Sequence, residues 1–330
     1  MRNLFKIYKL ELGLTFRRLI LFLLKVSHTQ GKKKNIVLIT TRRGGGTFLS
    51  ELIGSTDNSM RICHHIFSWY QNDFYTRLHF NVKKNNQEIR PDFNNTSFFK
   101  KINTGKIIPW TSCNIFNQNF VRNSNRIIYK ITEAKGLFDW FVENEDIITF
   151  YQVRHPIPTS LSILKNEWEL TVNAYLKDKD FVERFLKGSK YDYCLKIMNG
   201  DDKLGMLILN WVLENLIPLN SKYLKKVLLI SYEEFILNPE KYLTLIGKEL
   251  SIKLNIDIES LIRKPSGSKF YSSKLTNNAI KNNDKSYLIS SWKKFIDDSY
   301  EKNLMSILET FEIDIYQHSN LTINPKYLLG

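Results

Sequence analysis

Two stretches of this chain carry residues whose types and spacing suit a bound polyanion. The first is Thr40-Thr41-Arg42-Arg43-Gly44-Gly45-Gly46-Thr47-Phe48, directly after the apolar run Ile36-Val37-Leu38-Ile39. Glycines let backbone amides converge on an anion, and a helix beginning there points its positive end at the same place. Thr47 adds a hydroxyl at the helix start. The nucleoside-triphosphate loop, GxxxxGK[ST], needs a lysine and a magnesium-binding hydroxyl after its last glycine. Here Phe48 follows Thr47 and the cations come first, which suits a phosphate whose chemistry does without magnesium. The second stretch is Tyr151-Gln152-Val153-Arg154-His155-Pro156, with Ser162 two turns into the next helix. An arginine leaving a strand end and a hydroxyl on the following helix can clamp one phosphate from two sides. Taken singly, a glycine run also fits an unliganded tight turn, and Arg154 a surface ion pair.

Other reactive residues are fewer. Cys63-His64-His65 has no second ligand pair at a useful spacing, so no metal site is expected. Three widely spaced cysteines, Cys63, Cys113 and Cys194, make no disulfide framework and point to a reducing, cytoplasmic setting. Arg263-Lys264-Pro265-Ser266-Gly267-Ser268-Lys269 is basic, short-sided and flexible, either a ligand-closing loop or a solvated linker.

The elements that must position these residues alternate. Strands are expected at 36–40, near 61–63, and at 126–131, 146–153 and 227–231; helices are expected to about 53 and at 136–144, 157–168, 203–222 and 239–250, with final helices within 292–311. Strands separated by helices indicate an α/β fold, a P-loop-like central parallel β-sheet flanked by helices on both faces. Residues 31–330 form the main domain, with insertions at 66–126 and 165–203 that border whatever the motif loops bind. Residues 1–30 read as a separate amphipathic helix: Leu4, Phe5, Tyr8, Leu12, Phe16, Leu19, Ile20, Leu23 and Leu24 recur at helical spacing among basic residues. Its apolar run is too short to span a bilayer and lacks a cleavage site. It either docks on the core or lies, through residues 1–25, peripherally on the inner face of a membrane. A net charge of +15 attracts anions, but no Arg/Lys-rich helix interleaved with aromatics marks a nucleic-acid partner.

Arg43-Gly44-Gly45-Gly46-Thr47-Phe48 and Arg154-His155-Pro156…Ser162 together resemble the two cofactor motifs of sulfotransferases that use 3′-phosphoadenosine 5′-phosphosulfate, [RK]-S-G-[ST]-[ST]-[FLW] and R-[DNH]-P with a serine eight residues on. Leu228-Leu229-Ile230-Ser231-Tyr232-Glu233-Glu234-Phe235 is similar to a third family segment, and Trp211 falls at a family position. The resemblance covers about residues 35–310. It implies transfer of a sulfuryl group to an acceptor hydroxyl, without metal. Arg43 would then sit at the bridging oxygen, with Arg42 next best. Thr47 and the amides of Gly45 and Gly46 would hold the 5′-phosphate, with Phe48 closing the motif, and Arg154 and Ser162 would hold the 3′-phosphate. Gly44 and Gly46 replace residues that usually carry hydroxyls.

For a base, counting from Phe48 puts His64 where carbohydrate sulfotransferases carry a glutamate. His65 would point the other way on a strand, and Glu133 is a second choice. Lys130 resembles a family lysine near the reacting sulfate. Arg263, Ser266 and Lys269 fall where family members close over the nucleotide. A glycan or glycolipid hydroxyl of bacterial type is the expected acceptor, with small molecules open. Trp69, Tyr70, Phe74, Tyr75, Trp110 and Trp168 are candidates to stack on sugar rings. Two other readings stand beside this one: a phosphate-binding-loop kinase or other nucleotide-dependent transferase, and a non-catalytic homologue that binds polyanions.

Overall fold

The computed structural model describes residues 16, 19, 20, 22–67, 91–108, 120–252 and 258–328. Most of the expected N-terminal helix, the rings from Trp69 to Tyr75 and Trp110 lie outside them, as does the side chain of Lys269.

Five strands, β1 (Asn35–Thr40), β2 (Met60–His64), β3 (Arg126–Ile131), β4 (Ile147–Val153) and β5 (Leu228–Ser231), form one sheet. Their order is β2-β3-β1-β4-β5 and every neighbouring pair is parallel. Strands of such a sheet are buried on both faces, which is why Ile36 to Ile39 reads as an unbroken apolar run. Alternate side chains then serve two cores. Ile36 and Leu38 pack with Leu49, Leu52 and Ile53 of helix α1 (Gly46–Gly54) and with Leu243 and Ile246 of a later helix (Pro239–Leu250). Val37 and Ile39 pack on the opposite face with Ile157, from helix α2 (Pro156–Lys165), and with Ile208 and Val212, from helix α3 (Lys203–Leu219). Helices thus cover both faces.

The chain leaves β1 towards β2 on one side, whereas it leaves β4 towards β5 on the other. Crevices for ligands in open α/β sheets form where such departures diverge, beyond the carboxyl ends of the strands. The two motif loops follow β1 and β4, so both lie at this point. Three short helices (Val172–Lys177, Lys179–Phe185 and Ser189–Met198) occupy 165–203, and a helix at Phe93–Asn103 lies within 66–126. Two further elements border the cleft: a short helix at Tyr232–Leu237, which was not expected, and a strap, residues 264–272, which overlaps the expected loop at 263–269 and precedes a helix at Lys274–Lys281.

Candidate active site

The turn after β1 is built around absent side chains. Gly44 N donates to Thr41 O (3.0 Å), closing the turn, and Gly45, at φ +89°, caps α1 in the left-handed region that favours glycine. A Cβ on Gly44 would lie 2.7 Å from Thr41 Oγ1, one on Gly45 2.6 Å from the Tyr232 ring, and one on Gly46 2.4 Å from Thr40 Cγ2. The volume of the missing side chains is therefore taken by Thr40, Thr41 and Tyr232. No side chain caps α1 and no acidic residue sits in its first turn. Its leading amides and the positive end of its dipole are left for an external anion. Thr41 Oγ1, buried and without a hydrogen-bond partner, borders the same cleft.

Beyond β4, the backbone of Arg154 and His155 is held from several directions. Trp211 Nε1 donates to Arg154 O (3.2 Å), and His155 N donates to the buried carboxylate of Glu233 (2.9 Å). The His155 ring caps α2 and stacks on Trp292; burial, then Lys293 and Arg154, pushes it down to about 3, so it stays neutral. The Arg154 guanidinium lies 4.4 Å over the Tyr232 ring and donates to Arg43 O (3.1 Å), while its buried Nε has no partner. Arg43, at φ +58°, turns towards it: its Nε donates to Ser162 Oγ (2.8 Å) and its Nη2 to Tyr271 O (3.1 Å). Burial, then Arg154, lowers the Arg43 pKa. Arg43, Arg154 and Ser162 thus form one cluster, whereas the sequence suggested that Arg43 serves a different phosphate from the other two.

Arg42 is committed elsewhere. It donates to Glu169 O (2.8 Å) and to Glu214 (3.1 Å), whose other oxygen is 3.8 Å from the buried Lys135. Burial pushes Lys135 down to about 8; burial raises the Glu214 carboxyl, but Arg42, Lys135 and hydrogen bonds from Asn210 and Thr171 together hold it below the ordinary range. Arg42 therefore ties the glycine turn to α3, while it also borders the cleft and its buried Nε has no partner.

The ends of β2 and β3 supply a third group. His65 lies one residue beyond β2 at φ +53°, which breaks strand alternation. Both histidines consequently border the cleft, and the expectation that His65 points away is corrected. His65 Nδ1 is 3.2 Å from Glu133 Oε2 and its Nε2 is 3.1 Å from Lys130 Nζ, which also donates to Thr47 Oγ1 (3.3 Å). An ammonium can only donate, so Nε2 carries the lone pair and Nδ1–H is shared between Glu133 Oε2 and Thr132 Oγ1, the latter 3.0 Å away. Glu133 Oε2 also accepts from Thr132 N and Oγ1, so this oxygen orients His65, while Oε1 is buried without a partner. Burial raises the Glu133 carboxyl, and His65 with the Thr132 donors lowers it further, leaving it below the ordinary range. Burial pushes Lys130 down to about 8. His64 is different: its Nε2 is 3.2 Å from Ser50 Oγ, whose proton goes to Thr47 O, and burial, then Lys130, puts its pKa well below the ordinary value.

Arg43, Gly45, Gly46, Thr47, His64, His65, Lys130 and Arg154 line one cleft of about 370 Å³, which Ser162 and Glu133 meet through Arg43 and His65. Phe48 borders it, edge-on to Phe235. The strap forms a further wall: Ser266 and Ser268 border the cleft, and so does Lys264, in place of Arg263, which does not. Gly267 N donates to both oxygens of Glu51 (3.1 Å each). Glu51 and Tyr271 are the site residues that motif reading misses, whereas Thr41, Tyr232 and Lys264 lie inside the stretches singled out in the sequence but carry no expected role. Of the two, Glu51 had a signal, lying one helical turn after Thr47.

No family model matches the chain, and no curated protein gives a significant match. Solved structures do resemble it. Mouse sulfotransferase SULT7A1 complexed with PAP is 16% identical, with 86% of each chain covered and a TM-score of 0.40. The sulfotransferase domain from the Synechococcus PCC 7002 olefin synthase is 13% identical over 87% of this chain and 98% of its own, TM-score 0.41. Retinol dehydratase in complex with androsterone and inactive cofactor PAP is 13% identical over 86% and 82%, TM-score 0.37. At these values the likeness decides nothing about activity.

Proposed function

We propose that this chain is a sulfotransferase that moves a sulfuryl group from 3′-phosphoadenosine 5′-phosphosulfate to an acceptor hydroxyl. The observation that carries this reading is a pair of anion-binding corners beyond adjacent strands, the uncapped start of α1 and the Arg43–Arg154–Ser162 cluster, facing an oriented histidine across one cleft. A nucleotide with a single phosphate group would leave one corner empty; one with separate 3′- and 5′-phosphates meets both. The orphaned Thr41 Oγ1 and Arg154 Nε are further polar atoms awaiting a partner.

When bound, the donor supplies an activated sulfuryl group; the residues do the rest by position and charge. The amides of Gly45, Gly46 and Thr47, with the Thr47 hydroxyl, hold the 5′-phosphate. Arg154 and Ser162 hold the 3′-phosphate, and Arg43 joins them from the glycine turn. Lys130, within hydrogen-bond reach of Thr47 and His65 alike, places a cation between the phosphate corner and the base. His65 accepts the acceptor proton at Nε2 once Lys130 gives up that contact, and Glu133 stabilises the imidazolium through Nδ1–H, the nucleophile–base–orienter logic of other transfer enzymes. The acceptor of this reading is a glycan or glycolipid hydroxyl, with Trp168 at the cleft wall as a stacking surface.

Calorimetric titration tests the donor half. 3′-Phosphoadenosine 5′-phosphate should bind more tightly than 5′-AMP, and Arg154→Ala should erase the difference. Equal binding of the two nucleotides by the unaltered chain would sink the assignment. Transfer assays across glycans, glycolipids and small phenols then test the acceptor; turnover on phenols alone would overturn the glycan reading.

A further inference from the structure

Helix α3 carries a buried carboxylate that does not line the cleft yet holds segments that build it. Glu214 is 6% exposed and stands behind the cleft wall. Its Oε1 accepts from Arg42 of the glycine turn (3.1 Å), from Thr171 Oγ1 (3.1 Å) and from Asn210 Nδ2 (2.7 Å). Its Oε2 lies 3.8 Å from Lys135 Nζ, on the stretch that follows Glu133. Asn210 Oδ1 accepts from Thr171 N (2.6 Å), so the same face of α3 holds Thr171 by backbone and side chain. A buried carboxylate is tolerated when cations and donors surround it, and taking its charge away leaves those cations uncompensated.

What Glu214 fixes is the segment around Trp168. Glu167 turns the chain at φ +52°, and the carbonyl of Glu169 accepts from Arg42 Nη1 (2.8 Å). The Trp168 ring, between these two residues, borders the cleft edge-on to Tyr271 of the strap, with 5.5 Å between ring centres and the Arg43 guanidinium 5.6 Å from its own. Adjacent arginines of one turn therefore hold the backbone and the ring of the same short segment. A planar guanidinium engaged at both ends acts as a strut of fixed length. Among the described residues, Glu214 is the carboxylate paired with Arg42. Without that anchor the side chain borders an open cleft into which it can swing.

We propose that Glu214 is a positioning residue: acting through Arg42, it sets where Trp168 stands beside the anion corner, and so where an acceptor rests. That an acceptor rests there depends on the sulfotransferase reading; the strut itself does not. The experiment follows Trp168 emission, taken as the difference between each protein and its Trp168→Phe counterpart. Glu214→Gln keeps the shape and an oxygen for Asn210 and Thr171 but removes the charge that holds Arg42 and Lys135. Trp168 emission should then shift to the red and become more open to acrylamide quenching. Arg42→Met, which leaves Glu214 beside Lys135, should give the same shift, and the double variant no more than either, since both break one chain of contacts. 3′-Phosphoadenosine 5′-phosphate should perturb Trp168 emission in the unaltered chain through Arg43, and Glu214→Gln should lose that response while calorimetry still detects binding. A Trp168 signal that neither variant moves, with only a lowered melting temperature, makes Glu214 a structural residue and overturns the proposal. So do shifts that add in the double variant, or a nucleotide response that Glu214→Gln retains. If the unaltered chain binds no nucleotide, the sulfotransferase reading falls alone, and the quenching comparison still decides the strut.

Discussion

Lys130 is the residue at which function and stability pull hardest against each other. Burial holds its pKa at about 8, against 10.5 for the free side chain. A difference of about 2.5 units corresponds to roughly 3 kcal/mol of unfavourable free energy in keeping the ammonium charged inside the cleft. The sign comes from proton counting. Between pH 8 and 10.5 the unfolded chain holds more protons than the folded one, so stability rises with pH across that window. Below pH 8 both states are protonated and the full cost is present. Lys130→Met keeps the aliphatic stem and removes the charge, and both hydrogen-bond partners, Thr47 and His65, border the cleft, where water can replace the lost donor. At pH 7 the variant should be more stable by up to about 3 kcal/mol. For a chain of 330 residues that is a rise in Tm of about 4 °C. The proposed sulfuryl transfer should be lost, and in the unaltered chain it should decline as pH rises through about 8. Differential scanning calorimetry from pH 6 to 10, beside a pH–rate profile, reads both. A Lys130→Met protein less stable than its parent at pH 7, or a rate indifferent to pH between 7 and 9, would refute the assignment of a charged, desolvated lysine.

Glu133→Gln should reduce kcat by about 100-fold or more while leaving 3′-phosphoadenosine 5′-phosphate affinity unchanged, because the imidazolium loses its counter-charge and tautomer; single-turnover kinetics with parallel calorimetry separates the two quantities. Gly46→Ala should destabilise by about 1–3 kcal/mol, since its Cβ would meet Thr40 Cγ2 at 2.4 Å. Adding Thr40→Ser, which deletes that methyl, should recover part of the loss in a urea titration, and a second mutation that adds to the first instead would place the strain elsewhere. Glu51→Ala frees the Gly267 amide and removes a carboxylate from an anion cleft, so nucleotide affinity should rise several-fold by calorimetry; weaker binding would mean that the strap needs this tether to stay in place.

Local pattern made much of this site readable. Apolar runs bounded by glycine, arginine and proline mark the strands, and the residues that leave β1 and β4 are adjacent in the sheet because parallel order puts them there. What pattern could not supply depends on partners far along the chain. Arg42 meets Glu214, 172 residues away, and Gly267 meets Glu51, 216 residues away, so neither tie has a local signature. His65 escaped for another reason. Strand alternation predicts the opposite face, and a single residue at φ +53° cancels that rule at the strand's end. The loss of hydroxyls at Gly44 and Gly46 also looks different in three dimensions, because Thr40 and Thr41 fill the space from the preceding strand end.

The alignment of Thr40 with Gln152 across β1 and β4 has a consequence for how such an enzyme can change. The glycine turn and Arg154 begin one and two residues beyond that pair, on strands about 4.8 Å apart. The backbone origins of the two anion corners are therefore held at the sheet's own spacing, as by a ruler, while the reach of the Arg43 and Arg154 side chains decides where the charge falls. Selection acting on single residues can strengthen or weaken the hold on a nucleotide, but it cannot move those origins apart. Novelty is left to the far side of the cleft, where the ends of β2 and β3 and the segment around Trp168 face whatever accepts the group, and where insertions leave the ruler untouched.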